Sequence, residues 1–220
     1  MEDRHLVFEA RHRQCVEELF DDYADEFDEH LVKGLRYDIP NLMRLEVPEK
    51  SFTRCLDLGC GTGLAGQAFK TCCEYLEGVD LSQRMVEKSE ERQIYSQVHC
   101  RDLVAHMRRQ QDSSFDLVIA ADVLVYVYSP EKMFDEAQRI ISAGGLFVFS
   151  TESAPDGGEG IVERESERFA HSRQFLKSLM ADAFETVSIK EVAVRTDGAG
   201  AILGDIFVCK RLPLVECSEK

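Results

Sequence analysis

Three glycines alternate behind an apolar run in Cys55-Leu56-Asp57-Leu58-Gly59-Cys60-Gly61-Thr62-Gly63. The pattern reads as a buried strand that ends in a tight turn and opens a helix. Glycine lets the backbone take left-handed conformations and come close to a ligand. Amides at the helix start have no partner within the helix, so they are free to meet a polar group. The overlapping Gly61-Thr62-Gly63-Leu64-Ala65-Gly66 also fits G-x-G-x-x-G, the dinucleotide fingerprint. Asp57 changes the chemistry, because a carboxylate two residues before the first glycine attracts an ammonium group and repels a pyrophosphate.

A second acid stands in Gly78-Val79-Asp80-Leu81-Ser82, at the end of the next strand-like run. A carboxylate there can accept hydrogen bonds from both hydroxyls of a ribose. Asp80 is also a good helix cap, but Ser82 can supply that cap itself. On this reading, removing Asp80 costs ligand affinity and little stability. In Cys100-Arg101-Asp102-Leu103, Asp102 suits either an adenine amino group, with Leu103 packed on the ring, or a helix N-cap. In Ile119-Ala120-Ala121-Asp122-Val123-Leu124-Val125-Tyr126, the small Ala120 leaves room for a ligand. Asp122 and Tyr126 then stand at the mouth of the same crevice. His30, His171, Tyr126 and Asp122 are the side chains able to take a proton in this setting.

These residues need a scaffold that brings strand ends together. From residue 53, strand-like runs (Thr53–Leu58, Tyr75–Val79, Ser96–Cys100, Phe115–Ala120, Gly145–Thr151) alternate with helix-like segments near 63–70, 82–92, 103–110 and 131–142. Alternation of this kind builds a parallel sheet covered by helices on both faces. Residues 152–168 are polar and contain Gly157, Gly158 and Gly160, so they read as a long loop that shapes a pocket. A helix near 172–183 follows, then runs 185–195 and 201–210 split by Asp197-Gly198-Ala199-Gly200, the pattern of a β-hairpin. Residues 1–50 carry helical spacing, and Pro40 suits the first turn of a short helix. The acidic stretch 21–29 reads as a solvated face.

The expected fold is α/β, a Rossmann-like sheet of seven strands. Its C-terminal hairpin places 201–210 antiparallel between 145–151 and 185–195. Residues 1–50 form a helical lid, 51–212 the core and 213–220 a tail, all of one domain.

Composition narrows the function. The chain has 220 residues and a formal net charge of −15, which repels nucleic acid unless a basic patch is gathered locally, and the basic clusters are short. No run is long and apolar enough to span a bilayer. The charged N-terminus has no signal-peptide core, so a cytoplasmic location is expected. The eight cysteines (Cys15, Cys55, Cys60, Cys72, Cys73, Cys100, Cys209 and Cys217) show no C-x-x-C pair. They read as free thiols, with no metal site.

Taken in order, D-L-G-C-G-T-G, G-V-D-L-S, R-D-L and F-D-L-V-I-A-A-D-V-L-V-Y resemble the class I S-adenosylmethionine (SAM)-dependent methyltransferases, nearest to the ubiquinone and menaquinone type. F-D-D-Y-A-D-E-F-D-E-H-L (20–31), L-A-G-Q-A-F (64–69) and R-F-A-H-S (168–172) are similar to the methyltransferase domain of bacterial proteins with tetratricopeptide repeats, although no repeats occur here. The resemblance covers roughly residues 18–212. It implies SAM as cofactor and S-adenosylhomocysteine (SAH) as product. Gly59, Cys60, Gly61 and Gly63 would line the methionyl and ribose parts, with Asp57 at the ammonium. Asp80 would bind the ribose, and Leu81, Met85, Asp102, Leu103 and Ala120 would surround the adenine end. Tyr23 and Phe27 would belong to the lid.

The acceptor implied is a small molecule. A protein side chain, a non-catalytic SAM-binding module and an NAD-dependent oxidoreductase are the alternatives. The last is disfavoured by Asp57, by the missing second nucleotide-binding half and by the terminal hairpin. The resemblance names neither the catalytic base nor the oligomeric state.

Overall fold

Apolar residues on both faces of each strand decide the layering. In β1 (Phe52–Leu58), Cys55 packs into one core and Leu56 and Leu58 into the other. Such a strand must be covered twice, and helices do this. The computed structural model describes residues 2–157, 160–164, 166, 168–197 and 200–213. Gly158, Gly198, Ala199, Cys217 and all but Pro213 of the expected tail lie outside them.

The N-terminal helices are α1 (Glu2–Tyr23) and α2 (Ile39–Glu46), with a π-helical turn at Glu29–Gly34 between them and Pro40 in the first turn of α2. The alternating part runs β1, α3 (Leu64–Phe69), β2 (Cys73–Asp80), α4 (Gln83–Glu91), β3 (Gln97–Cys100), α5 (Leu103–Met107), β4 (Phe115–Ala120), α6 (Glu131–Ile140) and β5 (Ile141–Ala154). Residues 141–142, expected as helix, already belong to β5. The strands pair in the order β3-β2-β1-β4-β5, all parallel. The order reverses direction between β1 and β4, and such a switch point opens a crevice at the strands' carboxyl ends. Register aligns that edge: Leu58 pairs with Val79, Asp57 with Ile119, and Asp80 with Cys100.

The chain closes with α7 (Arg173–Met180), β8 (Phe184–Asp197) and β9 (Gly200–Arg211). β9 runs antiparallel to both β5 and β8 and lies between them, as the hairpin pattern predicts. Phe149 of β5 stacks on Phe207 of β9 with ring centroids 4.9 Å apart, which pins the pairing from one face.

The stretch 152–168 departs from expectation. β5 continues to Ala154, and two short strands follow, β6 (Ile161–Glu163) and β7 (Phe169–Ser172). β7 pairs parallel with Glu152–Ala154, and β6 pairs antiparallel with β7. The sheet therefore has nine strands among the described residues: the seven expected and these two. The polar composition misleads here because the buried polar groups are paired with one another. Glu152, His171 and Ser172 are all buried.

The acidic face of the lid is largely solvated, as expected, with Asp22, Asp25, Glu26 and Glu29 exposed, and three of its acids also reach the core. Asp21 accepts from the Ser82 hydroxyl at 2.5 Å and from the Arg84 amide at 3.2 Å. Asp25 pairs with Arg84 and Lys88, and Asp28 with Arg92 and the Thr62 hydroxyl. The spacing of these acids along the chain end matches the basic edge of α4, so charge complementarity docks the lid onto the core.

Candidate active site

A cavity of about 600 Å³ opens at the carboxyl ends of β1, β2 and β4, beneath α1. That is an ordinary size for a site that holds small molecules. Gly59, Cys60, Gly61, Asp80, Leu81, Asp102 and Leu103 line one part of it, and Phe20, Tyr23 and Phe27 close over it.

Gly59 has φ +63°, and a Cβ there would fall 2.6 Å from Val123 Cγ2, so only glycine lets the turn pack against the segment after β4. Gly61 has φ +53°, and a Cβ there would meet nothing within 4 Å. That open space faces the cavity.

Asp80 ties the turn to the next strand end. Its Oδ2 accepts from the Gly61 amide at 2.8 Å, and its Oδ1 accepts from the Ser82 amide at 2.9 Å. Each oxygen keeps a lone pair for a ligand. Burial raises the Asp80 pKa and the backbone donors oppose it. Ser82 caps α4 through the Met85 amide at 3.1 Å. Asp102 caps α5 through the Ala105 amide at 2.9 Å and pairs with Arg13 at 3.3 Å, while also lining the cavity.

Four of the expected site residues do not line it. Asp57 is fully buried behind the glycine turn, where the Tyr95 hydroxyl donates to its Oδ2 at 2.6 Å and its Oδ1 has no hydrogen-bond partner among the described residues. Burial pushes its carboxyl up to about 7. Gly63 is the residue before α3, under Arg92 and Tyr95. Met85 is wholly buried, and Ala120 ends β4 one residue short of the lining Ala121.

The four proton-acceptor candidates divide in the same way. Asp122 and Tyr126 line the cavity, whereas His30 and His171 do not. His30 is exposed on the lid, where its Nδ1 bonds the Tyr23 hydroxyl. His171 is buried on β7 with Nδ1 2.9 Å from Thr151 Oγ1 and Nε2 without a partner among the described residues.

Burial pushes the His171 imidazole down to about 4 from its ordinary 6.5. Between those values the unfolded chain holds a proton that the folded chain does not. His171 therefore contributes full stability above pH 6.5 and loses it as the pH falls to 4, by about 3 kcal/mol in total. Asp57 runs the opposite way, because its raised pKa favours the folded state at low pH. The check is a difference: the unfolding free energy of the parent minus that of His171→Leu should fall by about 3 kcal/mol from pH 6.5 to 4. Parallel pH profiles would refute it.

In the second part of the cavity Asp122 and Tyr126 stand as expected, whereas Tyr37, Arg168 and Arg195 were not singled out from the sequence. Tyr37, Arg168 and Arg195 line it together with Asp122 and Tyr126. Asp122 sits at φ +60° with its amide on Ser150 Oγ at 2.8 Å. Arg168 spans the floor, donating to Glu152 at 2.9 Å, to the Tyr126 hydroxyl at 2.6 Å and to Asp122 at 3.2 Å. Arg195 donates to the same Glu152 oxygen at 2.7 Å. The only signal was R-F-A-H-S, which contains Arg168. Arg195 looks like any strand residue until the register shift between Ala193 and Arg195 re-aims it.

Elsewhere, Glu77, His99 and His106 bring ligand-type atoms within 4.8 Å of one another. Arg101 Nη1 lies 3.3 Å from His106 Nδ1, and His106 Nε2 lies 2.8 Å from Glu77 Oε1 and 2.9 Å from Gln110 Nε2. Glu77 and His106 are buried, and His99 is half-buried.

The strand order, the glycine turn and the acid at the end of β2 define the fold of the class I SAM-dependent methyltransferases. Residues 56–149 match the family described as "Methyltransferase domain". The chain is 28% identical over 140 residues to the ubiquinone biosynthesis O-methyltransferase of Coxiella burnetii, an alignment covering 60% of this chain and 59% of that protein. The chain thus spans about three fifths of that relative's length. Among solved structures, the N-methyltransferase NodS of Bradyrhizobium japonicum with SAH has a TM-score of 0.61 at 17% identity, covering 77% of this chain and 83% of that one. The cyclase SpnF reaches 0.71 at 18% identity, covering 92% and 97%. One fold therefore carries more than one chemistry, and function has to be argued from the site.

Proposed function

We propose that this chain transfers the methyl group of SAM to a small-molecule acceptor, in the cytoplasm. The observation that carries this reading is the pairing of Asp80, with lone pairs free toward the cavity, and Gly61, whose missing side chain leaves that space open. Asp80 would hold the ribose hydroxyls. Leu81 and Leu103 would flank the adenine, with Asp102 at its edge. The amides of the turn would meet the polar methionyl end, and Tyr23 and Phe27 would exclude water. Free thiols at all seven described cysteines suit a reducing compartment. No described helix is long and apolar enough to cross a membrane.

Bound there, SAM supplies a sulfonium-activated methyl: the acceptor's lone pair forms the new bond to the methyl carbon, the S–CH₃ bond breaks, and its electron pair stays on sulfur as SAH leaves. The protein's part is placement and exclusion of water. Asp122 is our candidate for the proton that the acceptor loses. Burial raises its pKa, while Arg168 and Arg195 hold it down. A cavity roofed by α1 suits a small acceptor better than a side chain on a folded protein.

Calorimetry should show SAM and SAH binding in the micromolar range, about −8 kcal/mol for a 1 μM site, with no competition from NAD. Tight binding of NAD without binding of SAM would defeat the proposal.

A further inference from the structure

The acceptor end of the cavity has its own charge pattern. Glu152 is buried and ringed by three guanidinium groups: Arg195 at 2.7 Å, Arg168 at 2.9 Å and Arg164 at 4.0 Å. Asp122 is the second carboxylate of the cluster, held by Arg168. Of these groups Arg168, Arg195 and Asp122 line the cavity, Glu152 is buried behind them, and Arg164 stands outside, 42% exposed.

The hydrogen bonds show which donors remain available. Arg168 is spent on Glu152, Tyr126 and Asp122. Arg195 uses only Nη1, on Glu152. Its Nε and Nη2 make no hydrogen bond among the described residues, and these two N–H groups share the edge that receives a carboxylate in a two-point contact. Arg195 is held in place from the lid side, since the amide of Thr196 donates to Leu35 O at 3.1 Å. The hydroxyl of Tyr37, near the same lid turn, likewise makes no hydrogen bond among the described residues and lines the cavity. Leu31, Leu35 and Pro40 supply an apolar wall beside it.

We propose that the methyl acceptor is a small carboxylic acid with an apolar body. Its carboxylate docks on the free Nε/Nη2 edge of Arg195, the Tyr37 hydroxyl adds a further hydrogen bond, and its body lies against Leu31, Leu35 and Pro40. The proposal rests on the methyltransferase reading. An amide of the same shape places an NH₂ group against the guanidinium and is rejected, because a donor then faces a donor.

The test uses the full chain saturated with SAH and matched pairs of probes: benzoate with benzamide, and 3-phenylpropionate with its amide. Calorimetry should show each acid binding at least about tenfold tighter than its amide. Arg195→Gln should erase that preference. Arg195→Lys keeps the charge without the two-point edge and should retain part of it. SAH titrations on both variants should match the parent, which shows that fold and cofactor half are intact. Equal affinity of acid and amide in the parent, no binding of either, or an undiminished preference in Arg195→Gln overturns the proposal. Failure of the parent to bind SAH overturns the methyltransferase reading instead.

Discussion

Asp80→Ala is expected to weaken SAH binding by at least about a hundredfold. Two ribose hydroxyls on one carboxylate are two charge-assisted hydrogen bonds, each worth about 1.5–3 kcal/mol, and 1.4 kcal/mol is a factor of ten. The same variant should also be less stable without ligand, which corrects the expectation from the sequence that Ser82 alone secures this corner. Ser82 does cap α4, but the amides of Gly61 and Ser82 both end on Asp80. Removing the carboxylate leaves two partly buried donors without partners, a cost of about 1–3 kcal/mol each where water does not replace it. Asp80→Asn separates the roles, because it retains one acceptor for the backbone and loses the charge. Its stability should lie nearer the parent than its SAH affinity does. Calorimetric affinity and thermal unfolding on the three proteins decide the matter. If SAH binds Asp80→Ala as tightly as it binds the parent, the ribose is not on Asp80.

Glu152→Ala should be the most destabilising change in the acceptor half, by about 3–5 kcal/mol, the usual cost of removing one partner from a buried ion pair. Glu152 is 1% exposed, and Arg168 and Arg195 both end on its Oε1. Without it, two largely buried guanidinium groups face each other across an empty position. At roughly 2–4 °C per kcal/mol for a chain of this size, the melting temperature should fall by roughly 10 °C. The companion variant Glu152→Gln with Arg195→Gln removes one charge of each sign and should recover part of the loss. A fall of under about 1 kcal/mol for Glu152→Ala would place the pair in solvent-screened surroundings, and the charge pattern at the cavity floor would need revision.

Much of the architecture was legible because it depends on periodicity. Apolar runs of strand length alternating with helical spacing dictate a parallel sheet. The Gly-rich break between 185–195 and 201–210 dictates an antiparallel ending, and the structure has both. The glycine turn and Asp80 were legible because their chemistry needs particular residue types at particular spacings. Asp57 shows the limit. Its type suited a ligand, but the direction of one side chain on β1 put it behind the turn, against Tyr95. The segment 152–168 is only partly a loop, with strand at 152–154 and 161–163, for a related reason. Polarity marks exposure only when the polar groups lack partners, and here Glu152 finds Arg168 and Arg195 while His171 finds Thr151.

By itself the sequence determined the strand–helix alternation, the antiparallel ending, the glycine turn and the acid at the end of β2, since each follows from neighbours along the chain. The tertiary structure decided the docking of the acidic lid on α4, the exclusion of His30 and His171 from the cavity, and the assembly of Tyr37, Asp122, Glu152, Arg168 and Arg195 into one charged floor. Those five come from four separate stretches of the chain. No local pattern encodes such a meeting. It depends on where β5, β7 and the β8–β9 hairpin end in space, and on a register shift in β8 that turns one arginine toward the ligand.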